Sequence, residues 1–273
     1  MKQDNLACIL SIAGTDPSGG AGISADIKAI SATGGYAATV ITALVAQNTQ
    51  GVQSIQKISA DFVEEQLNSV FSDLNIQAVK IGMLHDERII QVICNTLETL
   101  RPDNVVFDPV MTAKDGSLLL ELDTISVLKE KLLGLTYLIT PNLFEAEQLL
   151  GVTIRNSQEM QSAAITLGKE FHINVLIKGG HLNEKNSPDL LYDIKENTCH
   201  WFHAERIETI NTHGTGCSLS AAIASYLAQG LSLIASIDSA KSYLNQAIQS
   251  GKRYHLGKGS GPVDHFYFLN NRV

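Results

Sequence analysis

Residues 6–35, LACILSIAGTDPSGGAGISADIKAISATGG, pose the question that decides the fold. LACILSIAG is short and apolar and ends in a glycine-rich turn, so it reads either as the core of a secretion signal or as a strand buried on both faces. A signal needs a basic segment in front, which is lacking, and would not run into TDPSGGAG. A buried strand, a tight turn and then ISADIKAISATGG make the first half of a β-α unit.

Working outward, the same rhythm recurs. AATVITALVA (37–46) reads as a second buried strand, and SADFVEEQLNSVFSDL (59–74) as a helix. Ser59 or Asp61 caps that helix, and Phe62, Val63, Leu67, Val70, Phe71 and Leu74 form its apolar face. AVKIGML (78–84), NVVFDPVM (104–111), TYLITPN (136–142) and INVLIKGGH (173–181) are further strands with their loops. Helical patterns lie between them at 86–100, 123–135, 143–150 and 157–170. Strands separated by crossover helices imply a parallel sheet covered on both faces. LLYDIKEN (190–197) and CHWFHAERI (199–207) read as a two-stranded hairpin and the candidate for a small lid. Helices at 214–230 and 232–252 and the tail GKGSGPVDHF (257–266) complete the chain. No linker or repeat divides it, so one domain over 1–273 is the simplest organisation.

The chain has 273 residues, is 44% hydrophobic and 18% charged, and carries a net charge of -8, which argues against nucleic acid or an anionic membrane surface as partner. Acidity does not exclude a phosphorylated ligand, because backbone amides at helix N-termini hold phosphate without net positive charge. The cysteines at 8, 94, 199 and 217 are scattered without ligand-like spacing, which fits a reducing compartment better than a disulfide or zinc framework. No apolar run is long enough to span a bilayer.

Ligands of open parallel sheets bind at the carboxyl ends of the strands. Neither G-x-x-x-x-G-K-[ST] nor G-x-G-x-x-G between a strand and a helix occurs. SGGAGIS (18–24) is either a tight turn or a ligand contact. NTHGTGCSLSAA (211–222) carries more: Gly214 and Gly216 let the backbone approach an anion, at a helix start whose partial positive charge would lower the pKa of Cys217. Cys217 is otherwise a small core residue. Asp108, Asn142 and Glu145 fall on the same rim, as Mg²⁺ ligands through water or as caps and turn residues. Lys178 ends another strand, where its ammonium would meet a phosphate oxygen.

Asn142 to Glu145 (N-x-x-E) and G-T-G before a helix resemble the ribokinase-like kinases. The ordered series AGTDPSGGAGISADIKA, ITALVAQNT, KIGML, DPVM, TPNLFEAE, KGGH, NTHGTGC and GKGSGPV, running from about residue 6 to 268, resembles the hydroxymethylpyrimidine/phosphomethylpyrimidine kinases of thiamine biosynthesis. That resemblance implies a three-layer α/β/α sandwich with a mostly parallel central sheet and at most a small β lid. It implies transfer of the ATP γ-phosphoryl to 4-amino-5-hydroxymethyl-2-methylpyrimidine and then to its monophosphate, in a cytoplasmic homodimer. Gly214, Thr215, Gly216 and Lys178 would hold the migrating phosphoryl, with Asn142 also on the nucleotide. Asp108 and Glu145 would position Mg²⁺, and Cys217, where most ribokinase-like enzymes carry Asp, would take the proton. Gln47 would read the aminopyrimidine, Met83 and Val110 would pack on its ring, and Gly14, Ala21 and Asp26 would complete the pocket. Taken alone, Gln47 is a loop cap, Met83 and Val110 are core, and Asp26 lies on a solvated helix face. His181 and His213 fall inside matching motifs without an assigned role; histidines 85, 172, 200, 203, 255 and 265 show no ligand spacing. Rival readings are a pyridoxal kinase, a sugar kinase, which would be expected to have Asp after G-T-G and a larger lid, and a silent metabolite sensor.

Overall fold

The computed structural model describes residues 6–111, 122–180 and 188–269; His181 lies outside them. The first half of the chain runs β1 (Cys8–Ala13), α1 (Gly22–Ala32), β2 (Tyr36–Ile41), β3 (Ala43–Asn48), β4 (Gly51–Lys57), α2 (Ala60–Phe71), β5 (Ala78–Ile81) and α3 (Glu87–Leu100). Then come β6 (Val105–Phe107), α4 (Leu122–Val127), β7 (Leu138–Ile139), α5 (Leu143–Leu150), α6 (Ser157–Phe171) and β8 (Asn174–Lys178). The chain closes with β9 (Asp189–Asp193), β10 (Thr198–Phe202), α7 (Thr215–Ala228) and α8 (Leu233–Gly251). Among the described residues the main sheet has the order β2-β1-β5-β6-β7-β8-β9-β10. Pairing is parallel from β2 through β8 and antiparallel from β8 to β9 and from β9 to β10.

The two-residue period of the strands sorts their side chains into two cores. Leu10, Ile12, Val79, Ile81, Val105, Phe107, Val175 and Ile177 meet α2, α3, α5 and α6 on one face. Ile9, Ala78, Val106 and Leu176 meet α1, α7 and α8 on the other. The result is the expected α/β/α sandwich. Ser59 caps α2, its hydroxyl accepting from Phe62 N, although the Phe62 ring itself is 53% exposed instead of joining the apolar face.

Two expectations move. AATVITALVA is not one strand: at the buried Thr42, whose hydroxyl donates to Met83 O, the chain leaves the main sheet. Residues beyond it pair as a separate antiparallel β3–β4 flap. The run carries no distinct mark of that departure, because it is apolar on both sides of Thr42, and Ala43 and Val45 remain buried, now against Met83. The 190–207 hairpin forms, but as β9–β10 on the edge of the main sheet; the lid position belongs to β3–β4.

Ser11 and Lys80 are register partners on β1 and β5 and face α1. There the Lys80 ammonium donates to both oxygens of Asp26, at 2.9 and 2.8 Å, and Ser11 Oγ donates to Oδ2 at 2.5 Å. All three residues are fully buried. Removing one partner of such a pair leaves the other charge unpaired, whereas replacing both with apolar groups does not. Asp26→Ala is therefore expected to destabilise the fold by about 3–5 kcal/mol in denaturant unfolding. Asp26→Leu with Lys80→Met should recover most of that loss; a double variant no better than the single would contradict the ion-pair account.

Candidate active site

The carboxyl ends of β1, β5, β6, β7 and β8 open into a cavity of about 1120 Å³. One wall is the start of α7. Gly214 caps this helix in the left-handed region (φ 78°) and, having no side chain, gives no cap hydrogen bond to the first-turn amides, which lack partners within the helix; the Thr215 amide donates to Thr212 O. Glycine is required by contact as well as by dihedral. A Cβ on Gly214 would lie 1.7 Å from Gly20 O, and one on Gly20 would lie 2.3 Å from the His213 ring. The loop after β1 and the loop before α7 therefore touch backbone to backbone.

Facing α7, Lys178 Nζ lies 2.6 Å from Asp108 Oδ1 and 4.0 Å from Glu145 Oε2. Thr140 Oγ1 donates to Asp108 Oδ1 at 3.2 Å. A Cβ on Gly216 would sit 3.3 Å from Lys178 Nζ and 3.5 Å from Asp108 Oδ2, so the helix mouth lies directly on this pair. Asn142 and Glu145 start α5 as a capping box: Asn142 N donates to Glu145 Oε2 (2.7 Å) and Glu145 N to Asn142 Oδ1 (2.9 Å). Burial works against the Lys178 charge, but Asp108 and Glu145 outweigh it and hold its pKa above the usual lysine value. Burial pushes Glu145 up to about 7, Lys178 opposing and Asp108 adding to the rise.

Gly14, Ala21, Gln47, Met83 and Val110 line the other end of the cavity. Met83 and Val110 pack with Ala43 and Val45 of the flap, forming an apolar floor. Gln47 belongs to that flap and not to a main-sheet strand. The β3–β4 register slips beside it: Ala46 pairs with Ser54 but Gln47 with Val52, and such a slip re-aims the side chain.

Two site expectations are corrected. Asp26 is neither on a solvated helix face nor against the cavity; it is buried behind Lys80, which does line the cavity. Cys217 lines the cavity at the first turn of α7, but its thiol is not acidified there. Burial pushes it up to about 11, opposed by Lys80, with Asp26 and Asp108 adding to the rise. The neighbouring amides do not overcome desolvation.

Sequence reasoning passed over three residues. Lys80 was visible as a lone charge inside the strand AVKI. Asp16 accepts from Ser18 N, Gly20 N and Ala21 N and so folds the loop after β1, the role of an Asp opening a Pro/Gly turn. His213 lies 2.7 Å from Asp16 and contacts Gln47, across a sequence distance that no local pattern encodes.

The family model described as phosphomethylpyrimidine kinase matches residues 16–264. The hydroxymethylpyrimidine/phosphomethylpyrimidine kinase of Escherichia coli (strain K12) is 47% identical over 268 residues, 98% of this chain and 99% of that one. The thiamine biosynthesis bifunctional protein ThiED of Geobacter sulfurreducens is 46% identical over 94% of this chain, which spans about half (52%) of that longer protein. Among solved structures, an ADP complex of Bacillus subtilis pyridoxal kinase superposes with a TM-score of 0.89 at 34% identity, covering 98% of this chain and 100% of that one.

The state of Glu145 has a measurable signature. A carboxyl whose folded pKa is raised binds its proton more tightly folded than unfolded, so its stabilisation is complete below the unfolded value and is lost as pH rises towards about 7. Glu145→Gln keeps the capping box and removes the titration. In denaturation at pH 4.5 and 7.5, stability should fall with pH more steeply in the wild type than in the variant.

Proposed function

The chain belongs to the phosphomethylpyrimidine kinase family, and from that premise we propose that it transfers the ATP γ-phosphoryl to 4-amino-5-hydroxymethyl-2-methylpyrimidine and then to the resulting monophosphate, in thiamine biosynthesis. The observation that carries this reading is the joining of two unlike subsites in one cavity. At one end the α7 mouth, Lys178, Asp108 and Glu145 suit an anionic phosphoryl group; at the other, Gln47, Met83 and Val110 suit a flat polar ring. The family likeness favours the pyrimidine, since identity is 47% to the pyrimidine kinase and 34% to the pyridoxal kinase.

Phosphoryl transfer through a loose transition state asks mainly for positioning and charge neutralisation. The amides of Gly214 to Cys217 and the Lys178 ammonium are assigned to the migrating group, with Asn142 and Thr215 on the nucleotide. Oxygen donors at Asp108 and Glu145 suit Mg²⁺ held through its waters, and a cation there would relieve the repulsion that Asp108 exerts on Glu145. Bound there, Mg²⁺ would neutralise phosphate charge. On the acceptor side, Met83 and Val110 would pack on the ring, Gly14 and Ala21 would let it approach the backbone, and Gln47 would bond to its polar edge. Asp26 acts through Lys80, which opposes the burial penalty on the thiolate of Cys217. Cys217 is assigned the hydroxyl proton. A homodimer working in the cytoplasm, one domain per chain, completes the proposal.

Steady ADP release requiring the aminopyrimidine and MgATP together, with kcat/KM well above that for pyridoxal, is the expected result. Release favouring pyridoxal, or binding without turnover, would reject the assignment. Cys217→Ala should lower kcat about 100-fold with KM nearly unchanged. A thiol raised to about 11 gains thiolate tenfold per pH unit below that value, so kcat should climb from pH 7 to 9 in the wild type and stay flat in Cys217→Ala. Equal turnover in the two proteins would remove Cys217 from the chemistry.

A further inference from the structure

One nitrogen in the cavity wall has two neighbours that make conflicting demands. His213 Nε2 lies 2.7 Å from Asp16 Oδ2 and 3.2 Å from the Gln47 carboxamide nitrogen. A neutral ring nitrogen offers one hydrogen or one lone pair, never both. If it offers a lone pair, it accepts from Gln47 and then faces the Asp16 carboxylate with no hydrogen between them. If it carries the hydrogen, it donates to Asp16, and a carboxamide NH₂ cannot bond to it.

The surroundings of Asp16 decide between these states. Its carboxylate already accepts from Ser18 N, Ser18 Oγ, Gly20 N and Ala21 N, at 2.8, 2.7, 3.2 and 2.7 Å. Donors on this scale hold a carboxyl ionised: burial pushes Asp16 up, but His213, Ser18 and Ala21 together bring it below the usual carboxylate value. An ionised Asp16 requires the hydrogen on His213 Nε2. A carboxamide is nearly symmetric in shape, so a half-turn about its last bond exchanges oxygen and nitrogen without moving other atoms.

We propose that His213, held by Asp16, is a specificity-positioning residue that turns the Gln47 carboxamide oxygen towards the imidazole and its NH₂ into the cavity. The inference rests on the reading of Gln47 as the residue that meets the substrate ring. In this orientation Gln47 requires an acceptor opposite it, an unprotonated ring nitrogen, while the second lone pair of its oxygen remains for an exocyclic amine. A protonated ring nitrogen, or a C–H in its place, leaves the NH₂ facing no acceptor. Discrimination between one flat hydroxymethyl ring and another is then set from behind the contact residue.

The arrangement is braced from a third direction. His213 N donates to Gly261 O at 3.0 Å. From the same tail segment, Ser260 N donates to Thr49 O and Gly259 N to Thr49 Oγ1, at the tip of the flap that carries Gln47. A Cβ on Gly259 would lie 1.9 Å from Thr49 O, so only glycine allows this approach. The GKGSGPV motif thereby fixes the flap and the His213 backbone relative to each other.

Long-range ¹H–¹⁵N NMR of the full chain labelled with ¹⁵N-histidine at pH 7.5, with His213 assigned by its loss in His213→Phe, tests the orientation directly. The expected result is a hydrogen on Nε2; a His213 tautomer with hydrogen on Nδ1 alone overturns the proposal. Kinetics give a second readout. His213→Phe should raise KM for the aminopyrimidine about tenfold, the value of roughly one hydrogen bond, with kcat within about threefold. It should reduce the preference for that substrate over its analogue lacking the amine, and His213→Gln, which returns an N–H donor, should restore part of it. An unchanged preference in His213→Phe overturns the proposal. Should the wild type fail to phosphorylate the aminopyrimidine, the functional reading falls, and the NMR result still decides the orientation.

Discussion

Lys178 and Asp108, 2.6 Å apart, span the end of β7 to join the ends of β8 and β6, and the working rim depends on that contact. β7 is only Leu138–Ile139, both fully buried, and it is followed by Thr140, whose hydroxyl donates to the same Asp108 oxygen. A parallel sheet brings all these strand ends to one edge, and the ion pair sets the spacing between an ammonium suited to phosphate and a carboxylate suited to a cation. Glu145, on the next helix, completes the group while capping its own N-terminus. Three strand connections therefore converge on one small charged centre beside the mouth of α7.

In a chain of net charge -8, two separate features of the cavity would suit an anion. Backbone amides at the start of α7 supply donors without net charge, and the cavity-lining lysines are each held by a buried acid. Lys80 is matched by Asp26 behind it and Lys178 by Asp108 beside it, while Lys241, further along the cavity, bonds to Asp189. Burial works against the charge on Lys80 and Lys178, and their acid partners outweigh it. In all three pairs the contact sets the ammonium's position more tightly than a solvated lysine would allow.

How far this was legible in the sequence depended on whether the cause was local. Apolar runs ending in Gly or Pro marked β1, β5, β6, β7 and β8, and the residues at or just beyond their ends, Asp108, Asn142 and Lys178, do meet at one rim. The Asn142–Glu145 spacing encodes a capping box directly. Thr42 could not announce that the chain leaves the sheet, since the sequence is apolar on both sides of it. Asp26 sits at an ordinary polar position of α1, and only the arrival of Lys80 from β5 makes it a core residue. The Cys217 expectation rested on the helix end alone and missed desolvation, which depends on everything packed around the thiol. Asp16, Gln47 and His213 come from three distant segments, and their contact exists only in the folded chain.

The glycines at 20 and 214 have a mechanical meaning. Where the turn after β1 meets the turn before α7, Gly214 sits directly on the Gly20 carbonyl, so at that point there is no rotamer to flex and no soft spacer to absorb error. The two loops are cast as one piece. Their relative placement is then governed by peptide planes, the stiffest parts a protein possesses, and in the proposed transfer that placement is what would align an attacking oxygen with a phosphorus atom.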